Sequence, residues 1–288
     1  MQTARAQDAT DERWCTGVWR ATLDERIASC TALIDSGRYQ AINLAILHDN
    51  RGMALRAKGD LAGALNDFSA AIGLDPTSAR ALANRGGARL AEHNFDGAIA
   101  DLDSAIALDP SDANAFLMRG DAYAKEGDSG QAIEDYTQAI RLFPGDAAAY
   151  RSRALAYRRE DEFDLAIADY GEAIRLDGRN TAAFNGRGVT WVDKGEFDRA
   201  IADYNQAIRL DPSQAAAYNN RGEAWRGKGE LNRAVADFDR AIKLSPRFAL
   251  AYDNRGLVSY QKGDYQGATA DFTAAIRLNP GDAQAYHN

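Results

Sequence analysis

The sequence has little of several residue types that mark common functional classes. Its 288 residues include only two cysteines, six prolines and three histidines. The histidines are spread over the chain, and none lies near the cysteines to complete a four-ligand zinc site. No apolar run approaches the roughly 18 residues that a transmembrane helix requires. Composition therefore indicates neither a metal centre nor a membrane-spanning helix.

Motifs for catalysis and phosphate binding are also lacking. The chain has no HExxH, no G-x-S-x-G and no P-loop. Asp and Glu outnumber Lys and Arg by 42 to 34, which gives a net charge of −8. Binding to nucleic acid or to an anionic membrane needs a basic face, so this charge argues against both, although a local basic patch remains compatible with it. We expect no enzyme activity, no cofactor and no metal.

The two cysteines, Cys15 and Cys30, both lie near the N-terminus. A close pair in a chain that otherwise lacks cysteine favours a disulfide and an oxidising compartment. The alternative is two reduced cysteines packed as small hydrophobic residues. The triplet Ala4-Arg5-Ala6 has the small-x-small form found before a signal-peptidase cut, although no apolar segment precedes it. We predict a Cys15–Cys30 disulfide and a periplasmic or secreted location, with a cytoplasmic location as the alternative.

The chain does contain a repeat with a period of 34 residues, in which Asn84–Pro110 matches Asn50–Pro76 position for position. A fixed period in this range indicates stacked supersecondary units. Each unit has a first segment of helical periodicity (helix A), a turn that usually contains Gly, and a second such segment (helix B) that ends before proline. The predicted units are 45–78, 79–112, 113–146, 147–180, 181–214, 215–248 and 249–282.

The regions outside the repeats are short. Residues 1–10 are predicted to be a disordered tail or a signal-peptide remnant. Residues 11–44 are predicted to form an N-terminal helical cap, in which Trp14–Ala21 pairs with Leu23–Ile34. Residues 283–288 begin another helix A and stop, which leaves a truncated stub. An uncovered apolar face at the end of a stack is a site for self-association.

These units resemble the tetratricopeptide repeat family. The family's two helix B alanines begin here with Ala64 and Ala71 and recur in every unit, and its proline begins with Pro76 and is replaced only by Gly178. Its helix A glycine is present in six units, with Ala154 in the fourth; the glycines are Gly52, Gly86, Gly120, Gly188, Gly222 and Gly256. The resemblance implies an all-α fold, a right-handed superhelical solenoid of stacked antiparallel helix pairs. It also implies that a peptide or partner protein binds in a concave groove lined by helices A.

One departure from the family pattern is systematic. The residue before the helix A glycine is always Arg, and one helix B position is always Asp. A guanidinium suits bidentate pairing with a carboxylate, so we predict a ladder of partly buried ion pairs that sets the stacking register. The alternative is seven arginines that face a ligand. The predicted ladder comprises Arg51, Arg85, Arg119, Arg153, Arg187, Arg221, Arg255, Asp67, Asp101, Asp135, Asp169, Asp203, Asp237 and Asp271.

Asparagine recurs at a helix A position that lines the groove in family members. An amide both donates and accepts hydrogen bonds, so it can bind a peptide backbone of any sequence. The alternative is that these residues recur only because the repeat was duplicated. The four candidates are Asn50, Asn84, Asn220 and Asn254.

A basic zone interrupts the groove positions of the fourth unit. Arg151, Arg158 and Arg159 fall on one side of helix A, with Lys125 and Arg226 at similar positions in nearby units. Such a zone favours a carboxylate or an acidic peptide. The alternative is a solvated face balanced by the acidic residues that follow at 160–162. The Lys/Asn set of the family's carboxylate clamp is not complete here.

The sequence thus predicts a protein–protein interaction module, an adaptor or scaffold that holds a peptide or partner protein in the groove. A self-assembling structural scaffold, stacking through the uncapped C-terminal end, is the alternative. The predicted partner is a protein or peptide with an acidic or carboxylate feature, not a nucleic acid.

Overall fold

The computed structural model describes residues 10–17 and 20–280. All regular structure in this part of the chain is helical. Within it, no helix combines the length and the apolar character needed to cross a membrane. The predicted tail up to residue 9 and the predicted stub at 283–288 lie outside the described residues.

One helix pair lies in each 34-residue unit, so the predicted all-α fold of stacked helix pairs is confirmed. The short loops make the two helices of a pair antiparallel, and each helix A packs against helix B of its own unit. Helices A span Ala41–Lys58, Ala79–Ala91, Ala113–Glu126, Ala147–Arg159, Thr181–Asp193, Ala215–Gly227 and Ala249–Gln261. Helices B span Leu61–Leu74, Phe95–Leu108, Ser129–Leu142, Phe163–Leu176, Phe197–Leu210, Leu231–Leu244 and Tyr265–Leu278.

The chain divides into two compact units, Met1–Pro144 and Gly145–Asn288. The first contains the cap and repeats 1–3, and the second contains repeats 4–7. The sequence period continues across Pro144 and gives no sign of this division. In a stacked array each repeat contacts only its neighbours, so the period itself carries no information about where compact units end.

Small residues set the distance between paired helices. The recurring alanines, for example Ala64 and Ala71, are fully buried. A Cβ added at Gly52 would lie 2.7 Å from the ring of Phe68 on the paired helix, closer than carbon atoms can approach. The family's favoured small positions are therefore places where two backbones or a backbone and a ring meet.

The cap differs from its prediction. Residues 10–15 are helical, and the chain then turns at Thr16 and Gly17, whose φ is +75°, so the predicted helix over 14–21 is wrong. The second cap helix, Leu23–Asp35, begins with a reciprocal capping box between Thr22 and Glu25. Helix A of repeat 1 starts at Ala41, a turn earlier than predicted, and its first turn places Leu44 against the cap core.

Candidate functional site

The structure brings the Arg and Asp columns together in all seven repeats. In each pair, Nε and Nη2 of the arginine donate to the two carboxylate oxygens over 2.6–2.9 Å, in bidentate geometry. All seven aspartates are buried. Burial alone would raise the pKa of Asp67, but hydrogen bonds from Arg51 and His48 outweigh it and lower that pKa.

The third nitrogen of several of these arginines reaches the helix that precedes its repeat, a contact that the sequence pattern did not reveal. Nη1 of Arg119 lies 2.5 Å from Asp103, and Nη1 of Arg221 lies 2.5 Å from Asn205. Arg187 has Gly171 at the equivalent position, where no side chain can accept. The further acceptors are Thr31, Ser69 and Asp239.

Aromatic rings cover the same guanidiniums. In five repeats the guanidinium carbon lies 5.5–5.8 Å from the centre of a helix A ring. In repeat 1 that ring is replaced by His48, whose Nδ1 lies 2.8 Å from Asp67. The arginines are thus held between helices by acceptors and rings, and little of each is left for a ligand.

The asparagine column forms bonds between successive helices A. Nδ2 of Asn84 donates to Asp49 over 2.8 Å, and Nδ2 of Asn254 donates to Asn219 over 3.0 Å. Asn220 donates to Asn185 in the same way, over 3.1 Å. Asn50 and Asn254 are only 5% and 3% exposed, so at these two positions the side chain has almost no surface with which to contact a ligand in the groove.

Asp49, which accepts the hydrogen bond from Asn84, is a buried carboxylate. It is 1% exposed, and this burial raises its pKa, an effect that Asn84 and the Arg80 and Arg56 charges offset only in part. Nε of Arg80 lies 2.8 Å from Oδ2 of Asp49, but that oxygen lacks a hydrogen bond of good geometry among the described residues.

The predicted basic zone divides into paired and unpaired residues. Nε of Arg158 donates to Asp193 over 2.5 Å, and Nη2 of Arg226 lies 3.9 Å from Glu223. Arg159, in the second compact unit, and Lys125, in the first, are both exposed. Within residues 10–17 and 20–280, Arg151 forms no ion pair, so it is the arginine of this zone that is available to a ligand.

Arg151 lines a pocket of about 260 Å³ in the second unit, together with Ser152, Leu155, Tyr170 and Ala182. Tyr170 is 3% exposed, and its burial raises the pKa of its phenol, which nearby arginines offset only in part. The hydroxyl is therefore protonated at neutral pH and can donate. The sequence did not predict this pocket, although Ala154, which packs in the same cluster as Tyr170, departs from the repeat pattern.

Cys15 and Cys30 are joined by a disulfide, with their Cα atoms 4.8 Å apart. Both are fully buried, and the bond ties the first cap segment to the second cap helix, Leu23–Asp35. Both cysteines pack in one cluster with Leu33 and with Leu47 of repeat 1. Among the described residues, no group of three or more His, Cys, Asp or Glu side chains is placed to hold a metal ion.

Several solved structures share this fold. A tetratricopeptide repeat protein from Parabacteroides merdae ATCC 43184 aligns with a TM-score of 0.69 and 20% identity, over 84% of this chain and 96% of its own. A chain of the APC/C hetero-tetramer Cut9–Hcn1 aligns with a TM-score of 0.67 and 20% identity, over 93% of this chain. The chain spans 52% of the length of that match. YrrB, described as a TPR protein with an unusual peptide-binding site, aligns with a TM-score of 0.50 and 22% identity, over 65% of this chain and 96% of its own.

Sequence profiles agree with the structures. The profile described as TPR repeat matches residues 88–127 and 190–225, and the profile described as tetratricopeptide repeat matches 117–183 and 226–283. No curated protein gives a significant match. The repeated helix pairs and these profiles together establish that the chain belongs to the tetratricopeptide repeat family.

Proposed function

We propose that the chain is an adaptor that binds a peptide or a segment of a partner protein on the helix A surface of repeats 4–7. The observation that carries this proposal is the unpaired Arg151 beside a pocket on that surface. The family supports a protein-interaction role in general. The named assembly of Cut9 with Hcn1 and the peptide-binding site of YrrB support it by analogy of fold.

The charge distribution favours an acidic partner. The chain carries a net charge of −8, yet Arg151, Arg158 and Arg159 cluster on helix A of repeat 4. Like charges grouped on one face repel, so a bound anion offsets a cost that the free protein carries. Complementary charge would also accelerate the encounter with an acidic peptide at low salt.

A pull-down from extract of the source organism tests this function. Arg151→Glu/Arg159→Glu reverses the charge of this face and spares Arg158, whose partner Asp193 would otherwise be left unpaired. Arg209→Glu, an exposed arginine of helix B in repeat 5, is the matched control. We expect partners that wild type and the control recover and the double variant loses. Equal recovery by all three proteins would contradict binding at this face.

We further propose that the protein works in an oxidising compartment, periplasmic or secreted. A buried Cys15–Cys30 disulfide supports this, because cytosolic thiols are kept reduced. Thiol trapping in intact cells, followed by mass spectrometry, measures the fraction oxidised. A fully reduced pair in cells would contradict the assignment and favour the cytoplasm.

A second candidate function is self-assembly through the last helix B. A pocket of about 540 Å³ is lined by Tyr265, Gln266, Thr269, Ala270 and Thr273, and Tyr265 is 63% exposed. Sedimentation velocity over a range of concentrations would reveal an assembly, and Ala270→Arg should abolish it. A mass that stays at one chain over that range would reject this function.

A further inference from the structure

Two departures from the repeat lie on either side of one tyrosine ring. In six repeats the small helix A residue is Gly, and a Cβ added at Gly188, for example, would lie 2.6 Å from the ring of Tyr204. In repeat 4 that residue is Ala154, which does have a Cβ. The ring of Tyr170 lies instead against Gly186 of repeat 5, where an added Cβ would be 2.6 Å from Cε1. The missing side chain at Gly186 makes room for this ring.

The Tyr170 hydroxyl has no hydrogen-bond partner among the described residues. In repeat 3, the hydroxyl of Tyr136 donates to Asp121, 15 residues earlier, over 2.8 Å. The residue 15 positions before Tyr170 is Leu155, which cannot accept. No hydrogen bond joins the Tyr170 hydroxyl to any other described residue, although the side chain is 97% removed from solvent. Tyr170 lines the same pocket as Arg151, so a ligand bound there can accept a hydrogen bond from this hydroxyl.

The residues that line this pocket include hydrogen-bond donors and no acidic residue. The polar ones are Arg151, Ser152 and Tyr170, and the apolar ones are Leu155 and Ala182. Neither Arg151 nor Ser152 pairs with another side chain in the described part of the chain. A set of donors with one positive charge fits a group with one negative charge and several acceptor lone pairs. A carboxylate has these properties, and a phosphate dianion would leave a charge unbalanced.

We propose that this pocket, formed by Arg151, Ser152, Leu155, Tyr170 and Ala182, binds a carboxylate of the ligand peptide. The inference rests on the proposed function, since it assigns part of the same helix A surface. Arg151 supplies the positive charge, and the Tyr170 hydroxyl donates a hydrogen bond to the carboxylate. The apolar walls accept the methylene groups next to the carboxylate. The carboxylate comes from an Asp or Glu side chain or from the peptide's C-terminus.

Three short peptides and a nitrogen-resolved NMR titration separate these sources. The first is blocked at both ends and has one Glu among alanines. The second replaces that Glu with Gln, and the third is an alanine peptide with a free C-terminus. We expect the Gln peptide to bind at least about tenfold more weakly than one or both carboxylate peptides, the effect of a charge-assisted hydrogen bond. The stronger of the two carboxylate peptides identifies the source.

Two variants and two controls assign the effect to the pocket. Tyr170→Phe removes only the hydroxyl, and Phe stands at the equivalent position in repeats 1, 6 and 7, so the fold should persist. Arg151→Gln removes the charge. Each variant should lower the affinity for the carboxylate peptide by about fivefold or more and leave the affinity for the Gln peptide unchanged. Tyr136→Phe and Arg209→Gln are the matched controls and should change neither affinity.

The outcomes distinguish the pocket from the wider function. If the Gln peptide binds as tightly as both carboxylate peptides, or if both variants leave the affinities unchanged, the pocket proposal is wrong while peptide binding on this face stands. If none of the three peptides binds the wild-type protein, the pocket proposal is also wrong. The pull-down with Arg151→Glu/Arg159→Glu decides the proposed function independently, because it uses natural partners and no designed peptide.

Discussion

Arg119 donates two hydrogen bonds to Asp135, from Nε to Oδ2 over 2.8 Å and from Nη2 to Oδ1 over 2.7 Å. Its remaining nitrogen, Nη1, lies 2.5 Å from Asp103 on helix B of the preceding repeat. One side chain therefore joins its own helix A, its paired helix B and the helix B before it. Arg85, Arg221 and Arg255 make the equivalent contact, so the ladder connects repeats as well as paired helices within each compact unit, with a gap at Arg187.

Removing one partner of the Arg119–Asp135 pair should be strongly destabilising. Arg119→Met leaves the buried Asp135 without its cation, so we expect the free energy of unfolding to fall by about 3 kcal/mol in urea titrations. Adding Asp135→Leu removes the stranded charge and should recover much of that loss. Arg141→Met, at an exposed arginine of the same repeat, should cost less than about 0.5 kcal/mol. Similar losses in both single variants would show that the pair contributes nothing specific.

Gly171 is the gap in the ladder, and filling it should stabilise the second unit. Gly171→Asn places an acceptor near Nη1 of Arg187, which lies 3.7 Å from the position of an added Cβ. Gly171→Ala is the matched control, because it gains only the helix propensity, about 0.5–1 kcal/mol. We expect the Asn variant to exceed the Ala variant by roughly 1 kcal/mol in urea titrations, the net contribution of one hydrogen bond after correction for propensity. Equal stabilities would mean that Arg187 does not use the new acceptor.

Gly186 and Ala154 should be energetically coupled through Tyr170. Gly186→Ala brings a methyl group to within 2.6 Å of the ring, so overpacking should cost about 1–3 kcal/mol. In the Ala154→Gly background the ring can move back toward helix A of its own repeat, and the cost should be smaller. Gly73→Ala, at an exposed helix position with no atom within 4 Å, should be neutral or stabilising. A double-mutant cycle measures the coupling, and additive effects would contradict it.

The two buried carboxylates of repeat 1 should respond to pH in opposite directions. The pKa of Asp49 is raised by burial, so its ionised form destabilises the fold at neutral pH. Asp49→Asn should therefore raise stability at pH 7, and the gain should vanish below the unfolded pKa of about 3.9. An Asn here would also preserve the bond from Asn84, as in the Asn185–Asn220 pair.

Asp67 provides the comparison for that experiment. Burial would raise its pKa, but Arg51 and His48 lower it below the ordinary value, so its ionised form stabilises the fold. That contribution is present above the unfolded pKa and is lost as pH falls through the folded pKa. Asp67→Asn should lower stability at pH 7 and matter little in acid. Urea titrations at pH 7 and below pH 4 test both variants, and changes of the same sign would contradict the assignment.

Reduction of the Cys15–Cys30 disulfide should loosen the cap. In the chain-entropy model, closing a loop of this length contributes about 3 kcal/mol. We expect a reductant to lower the Tm and to open the chain to protease between the cap helices, at residues 16–22. The Cys15→Ser/Cys30→Ser variant, unaffected by reductant, is the control. A Tm that reductant leaves unchanged in the wild-type protein would contradict a structural role for the bond.

Much of the fold could be predicted because its signals are local and repeated. A glycine that meets Phe68, alanines that face a neighbouring helix and an N-capping residue such as Ser78 each reflect packing within about one repeat, so the period shows them. The cap has no repeat to compare with, and its first helix was placed too late in the chain. The period also gave no sign of the division at Pro144.

The candidate site was harder to predict because its residues contact residues of neighbouring repeats. The basic zone was visible as Arg151, Arg158 and Arg159, but only the contacts distinguish Arg158, which pairs with Asp193, from the unpaired Arg151. The asparagines looked like groove residues, whereas Nδ2 of Asn254 bonds to Asn219 in the interior. Recurrence in sequence has the same appearance for a ligand contact and for a contact between repeats.

The sequence by itself determined the family, the number of helix pairs and the residues that pair in register, because a 34-residue period forces equivalent residues into equivalent environments. Only the tertiary structure decided which exceptions to that period lie next to each other in space. Ala154 and Gly186 are 32 residues apart and look like independent changes, yet both contact the space occupied by Tyr170. Steric exclusion acts between atoms that are close in space, and a linear pattern does not record which atoms those are.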